Sequence, residues 1–236
     1  MFDDIAPRYD FLNHLLSLHI DKIWRKKTSR WVAARHPRNI LDVATGTADL
    51  AIRLSLDNPE ATVTAVDISE KMLEIGKEKV KAKALDQRIH LALGDATALS
   101  YPDGSFDAVT VGFGVRNFSN LGKGLQELVR VTKNGGLVAI LEFSQPENLF
   151  RAPYGFYFNH LVPRLGGAIS KNKTAYAYLP ASVAAFPAPE QFSRLLEDSG
   201  LRNIKTQTLS GGIATLYTGN VEKTAQTHNK KETLPV

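Results

Sequence analysis

The sequence predicts an α/β chain, a doubly wound sheet that is mostly parallel and closed by an antiparallel hairpin. Three observations carry this. Short apolar runs alternate with helical stretches from Asn39 to Phe143. The turns between them are short, as βα units require. Near the C-terminus, two β-rich runs flank Ser210-Gly211-Gly212, the pattern of a hairpin.

In chain order, Phe11, Leu12, Leu15, Leu16, His19, Ile20, Ile23 and Trp24 recur at helical spacing, and His36-Pro37 ends that region. The spacing predicts one or two amphipathic helices before the sheet. Asn39–Val43 reads as a strand, Asp49–Leu56 as a helix, Thr62–Val66 as a strand and Glu70–Ala84 as a helix. Ile89–Leu93 is a third strand and Asp107–Val111 a fourth. Leu121–Val131 is a helix stopped by an Asn134-Gly135-Gly136 turn, and Leu137–Phe143 is a fifth strand. An aromatic stretch, Asn148–Tyr178, breaks the alternation; Ala188–Ser199 returns to helix before the hairpin of Asn203–Leu209 and Ile213–Thr218. A hairpin on a parallel sheet favours the class I methyltransferase, Rossmann-like variant over the plain nicotinamide-binding fold. One domain is expected over residues 1–220, with 1–37 as helical cover, 148–186 as an insert and 221–236 as a flexible tail.

Composition narrows the chemistry. The 236 residues contain no cysteine, which excludes disulfides and thiol catalysis and fits a reducing cytoplasm. No apolar run is long enough to span a bilayer, and the acidic start MFDDIAPRYD does not read as a signal peptide. A net charge of +5 permits contact with anionic surfaces without demanding it. Lys22, Arg25, Lys26, Lys27 and Arg30 form an early basic cluster, which reads first as a solvated helix face. There is no H-E-x-x-H, no G-x-S-x-G and no P-loop, and the six histidines are scattered.

Ligands of doubly wound sheets sit at the carboxyl ends of strands. The first strand runs into Ala44-Thr45-Gly46-Thr47-Ala48, which lacks the three glycines that seat a pyrophosphate and by itself reads as either a cofactor loop or an ordinary turn. Asp67 follows the second strand, 21 residues after Gly46, near the spacing of a ribose-binding acid. The competing role, capping the next helix, suits Ser69 better. Ile68 belongs to the same strand end. Asp95, in Gly94-Asp95-Ala96, can accept from an exocyclic amine or simply form a turn. Asp42 can face an amino group or organise the turn. Together these strand ends suggest adenosine bound without a diphosphate, as in S-adenosylmethionine. Arg116 and Asn117 follow the fourth strand. Arg116 can stabilise an oxyanion or pair with a neighbouring loop, and Asn117 can hold a phenol or carbonyl oxygen.

These residues resemble the ubiquinone/menaquinone biosynthesis C-methyltransferase family, from about Phe2 to Asn220. The markers are Tyr9-Asp10-x-Leu12-Asn13, Leu16-Ser17 and Trp24; Gly112-Phe113-Gly114-Val115-Arg116-Asn117; Arg130 to Gly136 with Glu142-Phe143-Ser144; Tyr178-Leu179-x-x-Ser182; and Phe186-Pro187. Leu12, Asp21, Gly112, Thr132 and Asn134 depart from the family pattern. The resemblance implies cofactor contacts at Thr47, Asp67, Asp95 and Ala96, and methylation of a reduced, polyprenylated quinol ring. Demethylmenaquinol is the first choice, because the start FDDIAPRYDFLN looks more similar to menaquinone-type members; a ubiquinone precursor is the alternative. It further implies Arg116 beside a phenolate, Asn117 on the ring oxygen and Tyr9 closing over the methyl donor. His14 is a candidate base, with a core or solvated role as the alternative. A cytoplasmic protein is expected, with room for transient contact at the inner face of the membrane and for a homodimer, and without nucleic acid. The rival readings are an RNA or small-molecule methyltransferase of the same fold, a nicotinamide oxidoreductase and a non-catalytic cofactor-binding scaffold.

Overall fold

The computed structural model describes residues 17, 19–145 and 181–223. The expected first helix around Phe11, the aromatic stretch Asn148–Tyr178 and the tail from 224 lie outside them. The described elements are α1 (Ile20–Ala33), β1 (Asn39–Val43), α2 (Asp49–Asp57), β2 (Thr62–Asp67), α3 (Glu70–Ala82) and β3 (Ile89–Leu93). They continue with β4 (Phe106–Gly112), a 3-10 turn (Val115–Asn117), α4 (Leu121–Val131), β5 (Thr132–Phe143), α5 (Pro189–Asp198), β6 (Leu201–Leu209) and β7 (Ala214–Val221).

The strands form one seven-stranded sheet in the order β3-β2-β1-β4-β5-β7-β6. β1 to β5 are parallel, and β7 runs antiparallel between β5 and β6. The strand order reverses between β1 and β4, so their carboxyl ends flank a crevice.

Period-two alternation sends side chains to the two faces. Ile40, Val63, Ala65, Ala108 and Ala139 pack with α2 and α3 residues on one face. Leu41, Val66, Val109, Val138 and Ile140 pack with Leu125 and Leu128 of α4 and Phe192 and Leu196 of α5 on the other. Strands covered on both sides read as near-continuous apolar runs, as β1 and β4 do. The edge strand β6 instead carries Arg202, Asn203, Lys205 and Thr206, with a register shift between Arg202 and Lys205 and a left-handed Asn203 (φ 55°). Charge and irregularity keep an edge from pairing further.

Helix starts follow local chemistry. Ser69 Oγ accepts from Met72 N–H at the start of α3, and Asn120 Oδ1 accepts from Lys123 N–H at the start of α4. Pro189 opens α5, where its missing N–H costs nothing. A third cluster joins α1 to the sheet: Trp24 packs with Phe113, Leu141, Leu209 and Leu216, and its Nε1–H donates to Ser210 Oγ at 2.9 Å.

The largest boundary difference from the sequence reading is in β5; smaller ones include β6, which starts two residues earlier, and β7, which runs three residues further. β5 begins at Thr132, directly after α4, and the expected Asn134-Gly135-Gly136 turn lies inside it as an irregularity. Phe106 pairs with Thr132, and Ala108 next pairs with Leu137, so β5 holds extra residues that Gly135 absorbs at φ 77°.

Gly114 marks a close approach: a Cβ there would lie 2.5 Å from Ala44 Cβ. Gly114→Ala should therefore cost about 1–3 kcal/mol and lower Tm by several degrees. In Gly122→Ala the nearest atom to a new Cβ is 3.7 Å away, so that variant should hold or raise Tm. Thermal melts of the two variants check this.

Candidate active site

The first βα loop is shaped by left-handed residues. Ala44 (φ 53°), Gly46 (φ 56°) and Ala48 (φ 66°) alternate through it. Only Gly46 takes such a φ without steric cost, so hydrogen bonds must hold the others. Thr45 N–H donates to Val66 O at 3.0 Å, and Gly46 N–H to Asp67 Oδ2 at 2.7 Å. Thr45 Oγ1–H donates to Asp42 Oδ2 at 2.6 Å, and Thr110 Oγ1–H to Asp42 Oδ1 at 2.6 Å. Asp42, with no exposed surface, therefore joins β1, the loop and β4.

A cavity of about 990 Å³, including the solvent at its mouth, opens over these strand ends. The β1 loop supplies Asp42 and Ala44–Thr47, the β2 end Asp67 and Ile68, and the β3 end Gly94, Asp95 and Ala96. Beyond β4 it is lined by Gly112, Phe113, Gly114, Asn117, Phe118 and Ser119. Gly46, Thr47, Asp67, Ile68, Asp95, Ala96 and Asn117 thus meet on one cavity.

Each acid has its own environment. Asp67 Oδ1 accepts from Ser69 N–H at 2.9 Å, so the carboxylate anchors the loop on one side and the start of α3 on the other. Asp95 Oδ1 accepts from Thr97 N–H and Thr97 Oγ1–H, which hold its carboxyl below the usual range. Burial pushes Asp42 up to about 6, against the two threonine hydroxyls and the Arg25 charge; the Asp67 charge adds to the rise. Thr47 Oγ1 accepts from Lys79 Nζ at 3.1 Å, and Lys79 also pairs with Asp49. Ile68, 70% exposed, forms an apolar rim.

Arg116 is placed differently. Its guanidinium donates from Nη1 to Glu142 Oε1 and to Phe113 O, both at 2.6 Å, and from Nε to Ser182 Oγ at 3.3 Å. Its backbone N–H also donates to Glu142 Oε2 at 3.2 Å. The pair is buried, and Arg116 is not among the residues lining the cavity. Tyr9 and His14 lie outside the described residues.

One lining residue comes from the basic cluster whose first reading is a solvated helix face. Arg25 lines the cavity, pairs with Asp21 and is only 12% exposed at its side chain, while Lys22 and Lys26 beside it are exposed. Its signal was helical phase: Asp21, Trp24, Thr28 and Val32 share the buried stripe of α1. Among the described residues no cluster could hold a metal ion.

The carboxyl of Asp42 loses its proton in the folded protein near pH 6 rather than near 4. The ionised form that attracts an ammonium is therefore complete only above about 6, and its burial costs stability progressively as pH rises from 4 through 6. Affinity for a ligand bearing an ammonium should fall as pH drops below 6, and Asp42→Asn should flatten that dependence. Calorimetric titration from pH 5 to 8 measures it.

An absent pyrophosphate grip, acids at three strand ends and an antiparallel hairpin suit an adenosyl sulfonium better than a dinucleotide. Comparison with known proteins agrees. The family model described as the ubiE/COQ5 methyltransferase family matches residues 1–221. The chain is 44% identical over 219 residues to a demethylmenaquinone methyltransferase of Bacteroides fragilis, covering 92% of this chain and 89% of that one. It is 45% identical over 221 residues to a ubiquinone/menaquinone biosynthesis C-methyltransferase of Geotalea uraniireducens, covering 93% and 94%. A solved S-adenosylmethionine-dependent methyltransferase from Aquifex aeolicus shares the fold, with a TM-score of 0.58 at 20% identity over 78% of this chain and 82% of that one. With nearly its whole described length matched, the chain belongs to the ubiE/COQ5 methyltransferase family and is an S-adenosylmethionine-dependent methyltransferase.

Proposed function

We propose that the protein methylates a ring carbon of a polyprenylated quinol, demethylmenaquinol in the first place. The observation that carries this is the cavity: strand-end acids suited to adenosine and an amino acid stand at one side, and Phe113, Asn117 and Phe118 at the other. The kinship with enzymes named for demethylmenaquinone and ubiquinone/menaquinone methylation supports the substrate class.

Bound S-adenosylmethionine supplies an electrophilic methyl group. The residues then bind and orient. Asp67 accepts from ribose hydroxyls and Asp95 from the adenine amine, with Ile68 and Ala96 against the base; Gly46 and Thr47 let the chain pass close. Asp42 faces the ammonium. The acceptor must be the quinol, since a quinone ring is electron-poor and a deprotonated quinol pushes electron density onto the neighbouring carbon. Asn117 orients the ring oxygen, and Arg116, paired with Glu142 behind the cavity lining, positions the turn that carries Asn117 and acts on the phenolate by charge at a distance rather than by contact. Tyr9 closes over the methyl donor. Transfer would break the methyl–sulfur bond, leaving the thioether, and loss of the proton from the methylated ring carbon to solvent would restore the aromatic ring; the residues' share is to hold the reactants in register.

The chain is one domain over 1–220, acts in the cytoplasm and touches the inner face of the membrane transiently, where a polyprenyl tail resides. Lys22, Lys26 and Arg30 are exposed along α1 and fit anionic lipid. Among the described residues no helix is long and apolar enough to cross a membrane.

Labelled S-adenosylmethionine with a reduced short-chain demethylmenaquinol should give ring-methylated product, and the oxidised quinone should give none. Asp67→Ala should raise the cofactor KM at least tenfold. Arg116→Ala leaves Glu142 buried and unpaired, at about 3–5 kcal/mol, so Arg116→Lys is the informative variant and should lower kcat with little change in cofactor affinity. Product from a ubiquinone precursor but not from demethylmenaquinol would move the assignment to that branch. Vesicles rich in anionic lipid should co-sediment the protein at low salt and release it at high salt; salt-insensitive or absent binding rejects the membrane contact.

A further inference from the structure

The described lining of the cavity is electrostatically lopsided. Asp42, Asp67 and Asp95 line it, and Asp49 does so while paired to Lys79. Arg25 is the only cationic residue lining it among those described. The amino-acid end of S-adenosylmethionine carries an ammonium and a carboxylate. Asp42 suits the first. The second would meet only like charge among the aspartates, and a carboxylate taken out of water needs a cation or donors.

We infer that Arg25 binds the carboxylate of the cofactor's methionine moiety and that Asp21 is the positioning residue that aims it. The inference rests on the S-adenosylmethionine assignment of the cavity and adds a residue from a helix outside the sheet.

Several observations converge on it. The guanidinium is withdrawn from solvent, unlike its neighbours Lys22 and Lys26. Asp21 is buried and is itself held by Ser17 Oγ–H at 2.7 Å. Arg25 Cζ stands over the Phe113 ring, 5.3 Å from its centroid, a cation–π contact that favours the guanidinium at this place. Among the described residues the guanidinium gives one hydrogen bond, from Nη1 to Asp21. An arginine has five donors in a fixed fork, so donors remain for a carboxylate. Arg25 and Asp42 line the same cavity, and the Arg25 charge acts to lower the Asp42 pKa against the effect of burial. Trp24, one residue earlier, fixes the depth of α1 through Ser210 and the Phe113 and Phe143 rings.

The competing role for a buried cation here is at the acceptor phenolate. Two ligands separate the roles. S-adenosylhomocysteine keeps the amino-acid end, and 5′-methylthioadenosine lacks it. Calorimetry on the full chain, with Tm alongside, compares wild type with Arg25→Gln, Arg25→Lys and Asp21→Asn. Arg25→Gln should weaken S-adenosylhomocysteine roughly 10- to 100-fold and leave 5′-methylthioadenosine unchanged. Arg25→Lys should recover part of the loss, and Asp21→Asn should fall between. Equal weakening of both ligands would reduce Arg25 to a structural role. Unchanged S-adenosylhomocysteine binding with lost turnover would move it to the acceptor. Wild-type protein that binds neither ligand would overturn the cofactor assignment itself.

Discussion

The Asp42 carboxylate lies where the central strand ends, wholly out of water, with a threonine hydroxyl on each oxygen. An isolated charge there would be costly. Thr45 and Thr110 offset part of that cost, and in doing so they fix the β1 loop relative to β4. The loop could not otherwise hold two alanines in left-handed conformation, a geometry that carries a penalty for any residue with a Cβ. Asp67 completes the frame by taking the Gly46 N–H. The two aspartates thus have a structural duty of their own, and both line the cavity. A substitution at either position would disturb the loop frame itself.

The order of βα units was readable because buried parallel strands are uniformly apolar and their turns are short. Asp67 and Asp95 were readable for a topological reason: in a doubly wound sheet the carboxyl ends of the strands and the turns after them border the same crevice. What stayed hidden depends on pairing across the sheet. Glu142 lies 26 residues from Arg116, and nothing local couples them until β4 and β5 align. The start of β5 was read as a turn because Asn134-Gly135-Gly136 has turn chemistry, yet the strand tolerates it as a bulge. Arg25 was hidden by its neighbours. Four nearby basic residues suggested a solvated face, and only the helical phase shared with Asp21 and Trp24 sets it apart.

The Arg116–Glu142 pair has a further structural meaning. Glu142 is fully buried at the end of β5 and also accepts from Phe143 N–H at 2.8 Å. The Arg116 guanidinium stands 5.3 Å from the Phe143 ring centroid and reaches Ser182, ahead of α5. One ion pair therefore ties the end of β5, the turn carrying Asn117 and the return of the chain toward α5. Such pairs contribute little net stability compared with apolar packing, but they penalise any arrangement that separates the partners. Its effect is to specify geometry.

Both tryptophans of the chain sit on α1. Trp24 is buried against Phe113, which lines the cavity, and Trp31 lies beside the Lys205 ammonium at 5.6 Å. The indoles therefore report on two ends of one helix, one near the cavity and one at the sheet edge. Intrinsic fluorescence of the unlabelled protein becomes an optical readout of how that helix seats, and replacing Trp31 by Phe isolates the signal from the end that faces the chemistry.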